Sequence, residues 1–153
     1  MHDDRFWMQR ALQEAERAFR KGEVPVGAVL VRAGRVAGTG YNQVETSGNP
    51  FAHAEMIAMQ DVVGQFGRWA LSECTMYVSL EPCVMCIGAV ILARIPRLVF
   101  GARETKTGAC ESVISIPNER TLAHGLVVTG GVEANRSGEI LQEFFKTRRE
   151  GQD

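Results

Sequence analysis

Two cysteines, Cys83 and Cys86, stand three residues apart behind Pro82, and His53 and Glu55 lie about thirty residues upstream. Residues at i and i+3 share one face of a helix. Proline suits the first helical turn, where a missing N–H costs little. The partial positive charge at a helix start also favours thiolate over thiol. Two thiolates and one imidazole make a three-ligand zinc site, His53, Cys83 and Cys86, with a fourth position open to water. An open position marks a catalytic site, since a structural zinc is normally closed by four protein ligands. Glu55 has a different part. At 3.6 residues per turn, i and i+2 project about 200° apart, so His53 and Glu55 are poorly placed as two ligands from one regular turn. The Glu55 carboxylate instead suits proton transfer. Zinc lowers the pKa of water in the open position towards neutrality, and a carboxylate beside it takes the proton and returns it to a leaving group.

The elements that must position these groups are legible in outline. Residues 3–21 carry Met8, Ala11, Leu12, Ala15, Ala18 and Phe19 at helical spacing, which predicts a helix laid on a sheet. Gly22 ends it. Val24 to Val31 and Arg35 to Tyr41 read as a hairpin turning at Ala33-Gly34. Asn42, by type alone, reads as a turn residue. Residues 43–52 form a polar loop that delivers the chain to His53. A second long helix runs from Ala52 to Phe66, with Met56, Met59, Val63 and Phe66 expected in the core. Residues 64–72 read as a loop, with Trp69 as a packing anchor. Thr75 to Leu80 is a buried strand that runs into Pro82, and strand-to-helix turns at the carboxyl end of a sheet are where such folds put their sites.

Helix Cys83 to Ala93 is almost wholly apolar, so it lies in the core or at a subunit contact. Arg97 to Gly101 is a fourth strand, 102–124 a long connection, Leu126 to Thr129 a fifth strand, and Glu139 to Arg149 a last helix. The order α-β-β-α-β-α-β-β-α predicts a three-layer α/β/α sandwich around a mixed five-stranded sheet. Nothing in the order suggests a repeat or a second domain, so 1–153 is read as one unit, without a disordered tail at 150–153.

Composition bounds the partners. The chain has 153 residues, 45% apolar and 23% charged, with net charge −1, ordinary for a globular domain. The charge gives no global signal for nucleic acid, so any such claim rests on local patches. No apolar run reaches membrane-span length. The N-terminal Met1-His2-Asp3-Asp4-Arg5 lacks the order of a signal peptide, and a cytoplasmic protein is expected. Four cysteines then read as thiols or ligands rather than disulfides. Cys74 and Cys110, with no partner at metal spacing, read as structural.

His53-Ala54-Glu55 with Pro82-Cys83-Val84-Met85-Cys86 resembles the H-x-E…P-C-x-x-C signature of the zinc nucleoside and nucleobase deaminases. The likeness narrows further. Gly22 to Ala28, Leu80 to Cys86, Gly101-Ala102-Arg103 with Lys106 to Ala109, and Glu143-Phe144-Phe145 before Arg148-Arg149 resemble the bacterial tRNA-specific adenosine deaminases, from about residue 5 to 149. That resemblance implies deamination of a wobble adenosine to inosine and a homodimer. It implies zinc on His53, Cys83 and Cys86, proton shuttling by Glu55, and a base pocket lined by Asn42, the Ala54 backbone and Val26. It also implies RNA contacts from Glu104, Lys106, Phe145, Arg148 and Arg149.

Three departures stand out: Glu104 where the family has Asp, Glu111 where it has Gly, and Ala123-His124-Gly125 where Asn-His-Arg is common. They keep open a deaminase of a free nucleobase or nucleoside, such as guanine, cytosine or a modified purine, on the same scaffold. A non-catalytic zinc module is disfavoured by Glu55. The C-terminal cations read equally as a solvated helix end, which favours Lys and Arg without a partner. Of Phe144 and Phe145, one is expected to pack and the other to be exposed.

Overall fold

A computed structural model describes residues 2–151; Met1 and the end of the expected ordered tail, Gln152-Asp153, lie outside the described residues. The chain folds as α1 (Asp4–Arg20), β1 (Gly27–Arg32), β2 (Arg35–Tyr41), α2 (Val44–Ser47), α3 (Ala54–Phe66), β3 (Cys74–Leu80), α4 (Val84–Leu92), β4 (Arg97–Ala102), α5 (Arg120–Ala123), β5 (Val127–Thr129) and α6 (Ala134–Gly151). Short 3-10 turns cover Arg68–Glu73 and Ile116–Asn118. The sheet order is β2-β1-β3-β4-β5. β1 is antiparallel to β2 and β3, whereas β3, β4 and β5 run parallel. The sheet is therefore mixed and five-stranded, as expected.

Side chains alternate across the strands and are buried on both sides. Ala28, Leu30, Met76, Val78, Leu98 and Phe100 join one core with α3 and α4. Val29, Val31, Tyr77 and Val99 join the other with Trp7, Met8, Ala11 and Leu12 of α1. A strand covered on both faces reads as a continuous apolar run, as β1 does. α6 lies beside α1, and the Phe19 and Phe144 rings meet edge to face, centroids 6.0 Å apart.

The hairpin turns at Ala33 and Gly34, both with positive φ (50° and 72°), the geometry that matches strand twist in a two-residue loop. A bidentate pair from Arg97 to Asp4 (2.8 and 2.7 Å), joined by the Tyr77 hydroxyl (2.9 Å), ties the start of α1 to β3 and β4.

Several expectations need correction. Trp69 is 70% exposed and lies under the Arg68 guanidinium rather than anchoring the core. Val63 and Phe66 are exposed. The inward stripe of α3 is Ala54, Ala58, Met59 and Val62, with the alanines where the helix comes closest to Gly38 and Gly40 of β2. A Cβ on Gly40 would overlap the Ala54 carbonyl oxygen. The 43–52 loop contains α2, α3 begins at Ala54, β1 begins at Gly27, and α6 begins five residues before Glu139.

Candidate active site and metal centre

The parallel strands β3 and β4 end at the same edge of the sheet, and the site lies there. Chain leaving β3 passes through Glu81 and Pro82 into α4, with Cys83 as N-cap in extended geometry (φ −76°, ψ 176°) and Cys86 in the first turn. His53 is the N-cap of α3 (φ −74°, ψ 153°), and Glu55 lies in that helix's first turn. Two helix starts thus converge, and their unpaired N–H groups favour negative charge between them.

His53 Nδ1 is 3.6 Å from Cys83 Sγ and 3.4 Å from Cys86 Sγ. Zinc bonds of about 2.3 Å to sulfur and 2.0–2.1 Å to nitrogen, meeting at the tetrahedral angle, set an N···S separation of about 3.6 Å. The three donors therefore fit zinc in number, type and spacing, and all ligand atoms lie within 4.8 Å of one another.

The electrostatics agree with a cation site. The Cys86 thiol and the His53 ring bond to Cys83 and hold its thiol at about 4 against the effect of burial. Cys86 is pushed strongly up, as the donor to Cys83 and by burial. His53 is raised by its bond to Cys83. A divalent cation takes over the positive charge that these shared protons supply. Glu55 is only 4% exposed, and burial pushes its carboxyl up.

Beside these groups is a cavity of about 270 Å3 lined by Val24, Val26, Asn42, Val44, Glu45, His53, Ala54, Glu55, Leu80, Glu81, Cys83, Glu104 and Thr107. It is smaller than the roughly 300–1,000 Å3 of drug-sized sites, a scale suited to one heterocycle. The expected base-pocket residues Val26, Asn42 and Ala54 all line it beside Glu55. A family model described as the cytidine and deoxycytidylate deaminase zinc-binding region matches residues 1–102.

The chain belongs to this zinc-binding deaminase family. Zinc is its cofactor, and the donor set above fits that ion. The deaminase is 39% identical over 150 residues to the tRNA-specific adenosine deaminase of Streptococcus pyogenes serotype M18, across 98% of this chain and 94% of that one. It is 42% identical over 144 residues to the tRNA-specific adenosine deaminase of Aquifex aeolicus, across 94% and 95%. A solved structure from a study of A-to-I editing by tRNA A34 deaminases at the wobble position matches with a TM-score of 0.84 at 39% identity, covering 89% of this chain and 99% of that one.

A second groove of the deaminase adjoins the pocket, sharing Val24 and Glu45 with it. Its other walls are Lys106, Leu141, Gln142, Phe144, Phe145, Arg148 and Arg149. Lys106, Phe145, Arg148 and Arg149 are thus brought together, whereas Glu104 lines the base pocket instead. Phe144 packs at 5% exposure and Phe145 is 47% exposed. Arg148 donates to the Gly22 carbonyl (2.6 Å) and lies over the Phe144 ring. Glu111 pairs with Arg103 at 2.8 Å.

Two carboxylates of the deaminase escaped the sequence reading. Glu23, fully buried, accepts from the amides of Glu45 (3.0 Å) and Thr46 (2.6 Å) and so holds the start of α2. Glu81, 2% exposed, binds the 104–112 segment. A signal existed for Glu81. A carboxylate between a buried strand and an apolar helix must find partners or pay a large desolvation cost.

Proposed function

We propose that this protein is a hydrolytic, zinc-dependent deaminase that converts the wobble adenosine of a tRNA anticodon to inosine. The observation that carries the reading is the adjacency of two spaces. A cavity sized for one base shares Val24 and Glu45 as walls with a groove that holds three cations and a half-exposed Phe145. A free base needs only the first; an RNA loop with one base turned out uses both. Anticodon bases are unpaired, so presenting one costs little. The likeness to tRNA-specific adenosine deaminases along nearly the whole chain supports the same substrate.

Zinc, when bound, acts as a Lewis acid that makes water nucleophilic near neutral pH. His53, Cys83 and Cys86 hold it. Val26, Asn42 and the Ala54 backbone orient the adenine ring. Glu55 takes one proton from the attacking water and gives it to the ring nitrogen of the base, then carries the second proton, from the added hydroxyl, to the departing amine, so adenosine and water give inosine and ammonia. Its burial keeps bulk water from competing for that proton. Lys106, Arg148 and Arg149 meet phosphates, Phe145 offers a stacking face, and Glu104, on the wall of the base pocket, meets the target nucleotide.

Residues 1–153 act as one unit, and the protein works in the cytoplasm; among the described residues no helix is long and apolar enough to cross a membrane. It pairs as a homodimer through α4, whose Val84 and Leu92 are 60% and 86% exposed although the helix is almost wholly apolar. Sedimentation is expected to give a dimer at micromolar concentration; a stable monomer contradicts it.

The substrate is tested by offering zinc-loaded protein an anticodon stem-loop alongside a panel of free bases and nucleosides. Inosine in the stem-loop with adenine and adenosine untouched is expected. Turnover of a small base with the stem-loop inert overturns the RNA reading.

A further inference from the structure

Glu81 is a buried carboxylate that the proton chemistry does not use. It directly precedes Pro82 and Cys83, so its backbone belongs to the segment that starts the metal helix. Its carboxylate reaches into the 104–112 loop. One oxygen, Oε1, accepts the Glu104 amide at 3.0 Å and the Ser112 hydroxyl in a short contact. The other, Oε2, accepts the amides of Cys110 (3.1 Å), Glu111 (2.8 Å) and Ser112 (2.9 Å). Four backbone amides and one hydroxyl thus close on a single side chain.

The loop is fastened again by the Ala109 amide on the Pro82 carbonyl at 2.9 Å. Gly108 fits between them because it has no Cβ; a Cβ there would overlap the Glu104 carbonyl oxygen and the Glu81 carboxyl. Two residues of this loop, Glu104 and Thr107, line the base pocket together with Asn42 and His53. A third, Lys106, donates its amide to the Glu104 carboxylate at 2.9 Å and lines the cationic groove.

We propose that Glu81 is a positioning residue that fixes the substrate-facing wall of the pocket, by holding the 104–112 loop in register with the metal helix. The proposal rests on the deaminase reading of the site. A loop of this length has no strand or long helix of its own to set its distance from the metal. Anchoring it on the residue two positions before Cys83 makes pocket width a property of one short covalent segment. Substrate binding is therefore set at Glu81 although Glu81 need not touch the reacting atoms.

Glu81→Gln separates the two oxygens. A glutamine oxygen still accepts the three amides at 110–112, while its NH2 group faces the Glu104 amide donor to donor. The pocket wall is released and the rest of the loop stays. The test measures stem-loop kinetics, zinc content and amide hydrogen exchange on wild type, Glu81→Gln and Gly108→Ala. Loss of the Glu104 amide's bond to a charged group in Glu81→Gln, and displacement of the Glu81 carboxyl by the added Cβ in Gly108→Ala, are each expected to raise KM about tenfold, with kcat within about threefold. Zinc is expected to remain at the wild-type level, and exchange in Glu81→Gln to speed up at residue 104 but not at 110–112.

An unchanged KM overturns the proposal. So does loss of zinc, or a fall in kcat without a rise in KM, since either means that Glu81 acts through the metal helix alone. If wild-type protein leaves the stem-loop untouched, the RNA reading fails separately, and exchange decides on Glu81. Faster exchange at 104 supports its hold on the wall, and unchanged exchange refutes it.

Discussion

Replacing Glu23 with alanine removes the acceptor that holds α2, four residues long and with no side-chain cap from its own N-cap residue. Glu23 is fully buried, and its carboxylate takes the amides of Glu45 at 3.0 Å and Thr46 at 2.6 Å. Hydrogen bonds to an ionised group contribute about 1.5–3 kcal/mol each. Both residues carrying those amides are exposed, so water replaces part of the loss. The expected cost is at or just below the low end of the sum, about 2–3 kcal/mol. For a chain of this size each kcal/mol moves the melting point by about 2–4 °C, so a fall of about 4–12 °C is expected.

The pH dependence carries a sign. Burial pushes the Glu23 carboxyl up, but the Thr46 amide and hydroxyl, the Glu45 amide and the Arg148 charge outweigh it and hold the pKa below the ordinary glutamate value. A depressed carboxylate contributes stability that is complete above its unfolded pKa, about 4.3, and is lost as pH falls through the folded value. The gap between wild type and Glu23→Ala is therefore expected to be full at pH 6 and to narrow steadily below about pH 4. Urea unfolding from pH 7 to 3, with amide exchange at residues 45 and 46, measures both. A variant within about 0.5 kcal/mol of wild type at pH 7, the scale of an ordinary surface change, refutes the reasoning. A gap that widens in acid also refutes it.

Glu55→Gln is expected to keep zinc and lose about 10²–10⁴ in turnover, as removal of a general acid–base does; steady-state rates with metal analysis check it, and retained activity sinks the mechanism. In a double-mutant cycle on Asp4 and Arg97, the bidentate pair is expected to couple by about 1 kcal/mol, since both side chains are about a third exposed and solvent screens them. Asp4 is held down chiefly by its bond to Arg97, so the coupling is complete above about pH 4 and is lost as pH falls through the folded value; a coupling near zero at pH 7 refutes it. Lys106→Ala and Arg149→Ala are each expected to weaken stem-loop binding and reduce the slope of log K against log salt by about 0.7, one single-strand phosphate contact. Binding measured from low to physiological salt reads that slope, and an unchanged value returns the residue to a solvated surface.

The two halves of the metal centre were legible because each is local: Cys83 and Cys86 share one helical turn, and His53 and Glu55 share one helix start. That the halves meet across thirty residues came from the resemblance to the zinc deaminase signature. The strands were legible because β-branched runs bounded by Gly and Pro survive any packing. The errors share a different cause. α3 was given a core of large residues, but Gly38 and Gly40 let β2 approach so closely that Ala54 and Ala58 face inward and Phe66 faces out. Helix α2 was missed because the acceptor at its start comes from Glu23, 22 residues before Glu45 in the chain. Glu81 had no legible role because its partners at 104–112 lie across a strand and a helix. What the sequence conceals here is contact between distant segments, and in both loops a buried carboxylate makes that contact.

The most direct test of the central claim is nucleoside analysis of an anticodon stem-loop after incubation with zinc-loaded, metal-stripped and zinc-restored protein. The account predicts inosine at the wobble position with loaded and restored protein, and none with stripped protein. Equal inosine from stripped protein, or no inosine from any of the three, contradicts it.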